Sequence, residues 1–188
     1  MVGEGKGRLA TTPAYAIAGD FCRIFAEDMS GLYLLSFLLT ADKQMAERCF
    51  VSGLEDCVDS NRVFKEWARS WARRAIVRNA INLIRPTPEP SEQTMARFPV
   101  SIPSTAERTP VAAVVRLSPF ERFVFIMSVL ERYSDQDCRA MLGTSRQEVA
   151  AARASALEKI SAYVGGATPH AHFEASSSSG QGWLAKSA

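Results

Sequence analysis

Two stretches of this chain carry side chains whose types and spacing suit recognition of an anionic polymer. Between Arg62 and Arg85 seven basic residues stand against one acid, Glu66. At about 100° per residue, Phe64, Trp67, Ala68, Trp71 and Ala75 share one helical face, and Arg62, Lys65, Arg69 and Arg73 share the opposite one. The pattern predicts one face that packs, with Trp67 and Trp71 in the core, and another that can meet phosphate. The solvated side of an ordinary amphipathic helix gives the same pattern. Beyond it, Ile76, Val77, Ala80, Leu83 and Ile84 turn toward the former basic side, while Arg74 and Arg78 project elsewhere. Such a helix is either covered on two sides or bent near Arg74.

The second stretch is Ser134 to Ile160. Ser134 with Asp137, and Ser145 with Glu148, have the Ser-x-x-acid spacing of a capping box and mark two helix starts. Between them Met141-Leu142-Gly143-Thr144 supplies an apolar helix end, a glycine able to take positive φ, and a short polar turn. This is the signature of a helix-turn-helix, whose second helix turns its first residues toward base edges. Here those residues are Ser145, Arg146, Gln147 and Ala150, with Arg153 farther along for phosphate. Arg suits guanine and Gln suits adenine through bidentate bonds. An ordinary helical hairpin fits the same residues.

The elements that hold these stretches are helical. Asp20, a candidate cap, precedes Phe21, Ile24, Phe25, Leu32, Leu35, Phe37 and Leu38 at near-helical spacing, and the run Leu32 to Leu39 reads as a core helix rather than a strand. Alternating strand patterns are nearly absent. Pro86, Pro88, Pro90, Pro99, Pro103 and Pro110 forbid helix through most of their stretch. The expected fold is therefore all-α: a mobile tail over 1–19, a helical domain over 20–85, a Pro-rich linker over 86–110, a helix-turn-helix domain over 111–163, and a mobile Gly/Ser-rich tail over 164–188.

Composition narrows the function. A formal charge of +2 over 188 residues leaves any nucleic-acid signal to local patches. Cys22, Cys49, Cys57 and Cys138 lack paired metal-ligand spacing and read as buried free thiols. No leader-like segment and no membrane-length apolar run appears, which points to the cytoplasm. His170 and His172, the only histidines, fall in the expected tail, and no phosphate loop or nucleophile elbow is present, so neither catalysis nor a cofactor is expected.

Taken together the two blocks resemble the small two-domain sigma factors of bacterial RNA polymerase, the extracytoplasmic-function type. Leu32-Tyr33 through Leu39-Thr40-Ala41-Asp42 and Ala46-Glu47 looks like that family's leucine-rich helix, its Thr-Gly-Asp turn and its Ala-Glu pair. Phe64-Lys65-Glu66-Trp67 leading to Ala72-Arg73-Arg74 is similar to the helix that engages the melted promoter element. Leu117-Ser118-Pro119-Phe120-Glu121-Arg122-Phe123-Val124-Phe125 matches the lead-in to the family's helix-turn-helix, and Tyr133-Ser134, Leu142-Gly143-Thr144-Ser145, Val149 and Ala156 follow at fitting intervals.

The resemblance implies a non-enzymatic promoter-recognition protein. Its partners would be promoter DNA and core RNA polymerase, with an inhibitory anti-sigma protein admitted and no membrane. Arg69, Arg73, Arg74 and Arg78 would take phosphates or a melted base. The chain departs from the family where an Asp-x-x-Gln-Glu cluster grips the polymerase, for it reads Arg48-Cys49-Phe50-Val51-Ser52-Gly53. Acids follow at Glu55, Asp56 and Asp59, and polymerase attachment is either rebuilt through them or weakened. Arg139 replaces a usual small residue, and Ala150 and Ala152 stand where basic phosphate contacts are common. A sigma-like regulator that forms no working holoenzyme is the alternative.

Overall fold

The computed structural model describes residues 14–59, 63–88 and 109–165. Arg62, most of the expected linker, His170 and His172 lie outside the described residues. Those described fold into α-helices without a named strand, as the periodicity requires; the one β feature is an isolated bridge between Tyr15 and Phe64.

The first four helices are α1 (Ala18–Glu27), α2 (Met29–Thr40), α3 (Lys43–Asp59) and α4 (Ala68–Ile84). Asp20 is the third residue of α1, not its cap, and its carboxylate accepts the Ile17 N–H at 3.2 Å. The Leu32–Leu39 run is helical, with Leu32, Leu35, Leu38 and Leu39 buried. Part of the expected amino-terminal tail is built into the fold: Ala16 N–H donates to Val63 at 2.7 Å, and Lys65 N–H donates to Ala14 at 2.9 Å.

Farther along the chain come α5 (Pro110–Val115) and α6 (Pro119–Phe125), a π-helical turn (Ile126–Leu130), α7 (Asp135–Leu142) and α8 (Arg146–Gly165). Ser118, Pro119 and Glu121 start α6 with a complete capping box, since Ser118 Oγ accepts from Glu121 N–H and Glu121 Oε2 accepts from Ser118 N–H.

One apolar cluster runs through both helical blocks, from Phe21, Leu32 and Ile76 to Phe123, Ile126 and Val149. Arg122 crosses between them. Only 3% exposed, it donates from Nε to the Leu39 carbonyl at 3.2 Å and from Nη1 to Val115 and Leu117. Burial lowers its pKa to about 10, still well above neutrality.

Cys49, Cys57 and Cys138 are buried, and burial pushes their thiols up to about 11, 12 and 11. Cys22 is exposed instead, because it sits on the outer side of α1 between buried Phe21 and Ile24. No helix of the described residues is long and apolar enough to cross a membrane.

Candidate nucleic-acid interface

The basic helix is continuous and covered on more than one side. Ala75, Ile76 and Val77 are all buried, which at 100° per residue spans about 200° of its circumference. Of the two alternatives for the change of apolar phase, cover on two sides or a bend near Arg74, the first therefore accounts for it. Gly53 of α3 allows the close approach: a methyl group there would stand 2.6 Å from Cδ1 of Ile76.

The aromatic face differs from expectation. Trp67 is 59% exposed, and Trp71 is half-buried. Lys65–Trp67 form a 3-10 turn before α4, so the helical projection that placed Trp67 beside Ala75 does not reach it. Small residues, Ala68, Ala72 and Ala75, face the core in its place. Trp67 packs edge-on to Phe64 at 5.4 Å, and Phe64 stacks on Tyr15 at 4.9 Å, forming a surface aromatic row. Tyr15 gave no sequence signal for this site, since it lay in the expected tail.

Five cations of the α4 region have an acidic neighbour. Lys65 pairs with Asp20, Arg69 with Glu27, and Arg78 with Asp56 at 3.7 Å. Arg73 reaches the second block, where Nε donates to Glu131 Oε2 at 2.8 Å and Nη2 donates to Oε1, a two-pronged pair. Its Nη1 also lies 3.5 Å from Asp28. Arg74 lies over the Tyr133 ring at 5.6 Å and 3.7 Å from Asp137. Arg73 and Arg74 thus each face a carboxylate of the second block while remaining partly open to solvent.

Glu55, Asp56 and Asp59 are exposed along the end of α3. Asp56 also accepts from Asn79 Nδ2 at 2.9 Å, so this acidic edge adjoins the basic helix instead of standing apart from it. An open apolar groove of about 320 Å³ between α2 and α3, lined by Met29, Tyr33, Phe50 and Val51, lies along the same helix.

The second stretch takes the local form its residues predict. Ser134 Oγ accepts the Asp137 N–H at 3.1 Å and starts α7. Gly143 ends it in the left-handed region with φ 64°, and both Gly143 and Thr144 N–H donate to the Arg139 carbonyl. A full capping box opens α8: Glu148 N–H donates to Ser145 Oγ at 3.2 Å, and Ser145 N–H donates to Glu148 Oε2 at 2.8 Å. Hydrogen bonds from Thr144 and Ser145 hold the Glu148 carboxyl down at about 2.

Val149, Ala152 and Ala156 are buried, whereas Arg146, Gln147 and Ala150 point outward. Among the described residues Arg146 makes no hydrogen bond or ion pair. Arg153 instead donates to Asp135 at 2.7 Å and ties α8 to α7.

No group of three or more His, Cys, Asp or Glu side chains among the described residues is arranged to hold a metal ion. No protein-family model matches this chain, and none of the curated proteins or solved structures compared with it is similar to it.

Proposed function

We propose that the protein is a sigma-like promoter-recognition factor. In this reading two helical domains, about 20–85 and 111–163, act on DNA together with core RNA polymerase and start transcription without catalysing a step themselves. The observation that carries it is the α7–Gly143–α8 corner, which joins two capped helices through a left-handed glycine and leaves Arg146 and Gln147 outward in the first turn. Read as a helix-turn-helix, that first turn enters the major groove. Arg153 then acts by holding the corner, with phosphate contact secondary to its Asp135 bond.

The first domain takes the melted strand. Arg69 and Arg78 lie in exposed pairs that phosphate can displace, and Trp67 offers a stacking face. Glu55, Asp56 and Asp59 serve as the polymerase contact. The partial use of Asp56 by Arg78 and Asn79 favours, as second reading, a DNA-binding regulator that forms no productive holoenzyme.

Reconstitution with core polymerase tests the first reading. It requires copurification, loss of copurification on triple charge reversal at Glu55, Asp56 and Asp59, and a transcript from a selected promoter. DNA binding without any of these selects the regulator. Absence of both DNA and polymerase binding removes the whole reading.

A further inference from the structure

Arg73, at the centre of the basic helix, is gripped by the chain's own second block, and Arg74 lies beside it in a half-exposed pair. Glu131 grips Arg73 through two oxygens, across a sequence separation of 58 residues, and its side chain is only 6% exposed. Tyr133 and Asp137 hold Arg74 from the same side. A carboxylate fork uses the guanidinium donors that a phosphate would use, so the two occupants exclude each other.

Local irregularity delivers these groups. The π turn Ile126–Leu130 rotates Glu131 away from its place in a regular helix, with Glu131 N–H donating to Ile126 at 2.9 Å. Arg132 then adopts φ 57°, a left-handed conformation that a non-glycine residue takes at a cost, and brings Tyr133 onto α4. The cover is imperfect: the Tyr133 hydroxyl is buried with no hydrogen-bond partner. Parting of the blocks would hydrate that hydroxyl, and water would replace the Leu39 carbonyl at Arg122 Nε.

We propose that the segment beginning at Glu131 is a built-in cover over the basic helix, so that Arg73 binds a nucleic-acid backbone through its full guanidinium fork only after the two helical blocks separate. This rests on the nucleic-acid reading above and adds its regulation. A closed form of this kind lowers apparent affinity by the fraction of molecules that are open.

The test uses the full chain and a fluorescent single-stranded DNA of mixed sequence at fixed salt. Glu131→Gln should tighten binding about tenfold relative to Glu158→Gln, an equal charge change on exposed α8. Spin labels on Cys22 and on a Leu157→Cys variant should show longer distances with Glu131→Gln. Tyr133→Phe removes the unsatisfied hydroxyl and should act the opposite way, weakening binding roughly threefold while raising thermal stability.

Equal gains from Glu131→Gln and Glu158→Gln, or no loss with Tyr133→Phe, overturn the cover and leave the DNA reading standing. Lengthened distances in a Glu131→Gln protein that binds neither single-stranded nor duplex DNA, with or without core polymerase, overturn the DNA reading and the cover with it.

Discussion

Gly53→Ala tests the packing that positions the basic helix. A methyl group at this position meets Ile76 Cδ1 at 2.6 Å, Ile76 Cγ1 at 3.4 Å and the Ile76 nitrogen at 3.5 Å. Carbon atoms pack at about 3.5–4.0 Å, so Cδ1 must retreat by roughly 1 Å. Ile76 is fully buried, so it cannot swing out into solvent to make room. Overpacking of this kind costs about 1–3 kcal/mol, against about 1 kcal/mol gained by replacing glycine within a helix, and the net loss is about 0–2 kcal/mol. Ile76→Val deletes the offending Cδ1. Alone it should cost about 0.5–1.5 kcal/mol, but combined with Gly53→Ala the loss should shrink or reverse. Urea denaturation of the parent, the two single variants and the double variant measures the coupling. A Gly53→Ala protein more stable than its parent by about 1 kcal/mol, with additive effects of the two changes, would mean that α3 and α4 do not meet at this distance.

Trp67→Ala should cost roughly 1–2 kcal/mol, less than the ~3–5 kcal/mol of a buried ring, yet weaken single-strand binding; a large melting shift with unchanged binding would return Trp67 to a core role. Glu148 has a depressed folded pKa, so its cap is fully present above about 4.5, weakens as the unfolded carboxyl protonates, and is lost as pH falls through about 2. The helicity of wild type should fall faster than that of Glu148→Gln over this window; parallel titrations would remove the cap from the account. Arg146→Ala and Gln147→Ala should each lose about 1–3 kcal/mol at one base position in a binding-site selection, and an unchanged selected motif with intact folding would leave α8 an ordinary hairpin helix.

What the sequence made legible is what adjacent residues decide. Ser145 and Glu148 are three apart, so their reciprocal hydrogen bonds follow from spacing alone, and Gly143 is readable because few residues accept φ 64°. The same reasoning misplaced Asp20 by part of a turn: a carboxylate can accept from the chain entering the helix whether it stands at the cap or at the third residue. Trp67 was misread because helical period was carried across a 3-10 turn. The meeting of Arg73 with Glu131 was not legible at all. It depends on a π turn, a left-handed arginine and the docking of two blocks, none of which leaves a period in the sequence.

That docking changes the meaning of the basic helix. Lys65, Arg69, Arg73, Arg74 and Arg78 are five cations, and Asp20, Glu27, Glu131, Asp137 and Asp56 are five carboxylates paired with them. The charge of these five is therefore offset on the folded surface where the sequence reads as strongly positive, in keeping with a chain whose formal charge is only +2. The pairs are unequal, however. Arg69 and Arg78 are more than half exposed and their partners nearly so, and pairs of that kind are worth about 0–1 kcal/mol, so phosphate can take the carboxylates' place at little cost. Glu131 is shielded and holds its arginine through two bonds, so phosphate displaces it from Arg73 far less readily than it displaces an exposed partner. In the proposed reading, control of the basic helix therefore concentrates in the Arg73–Glu131 pair, and the remaining charges would set how strongly an opened helix holds a strand.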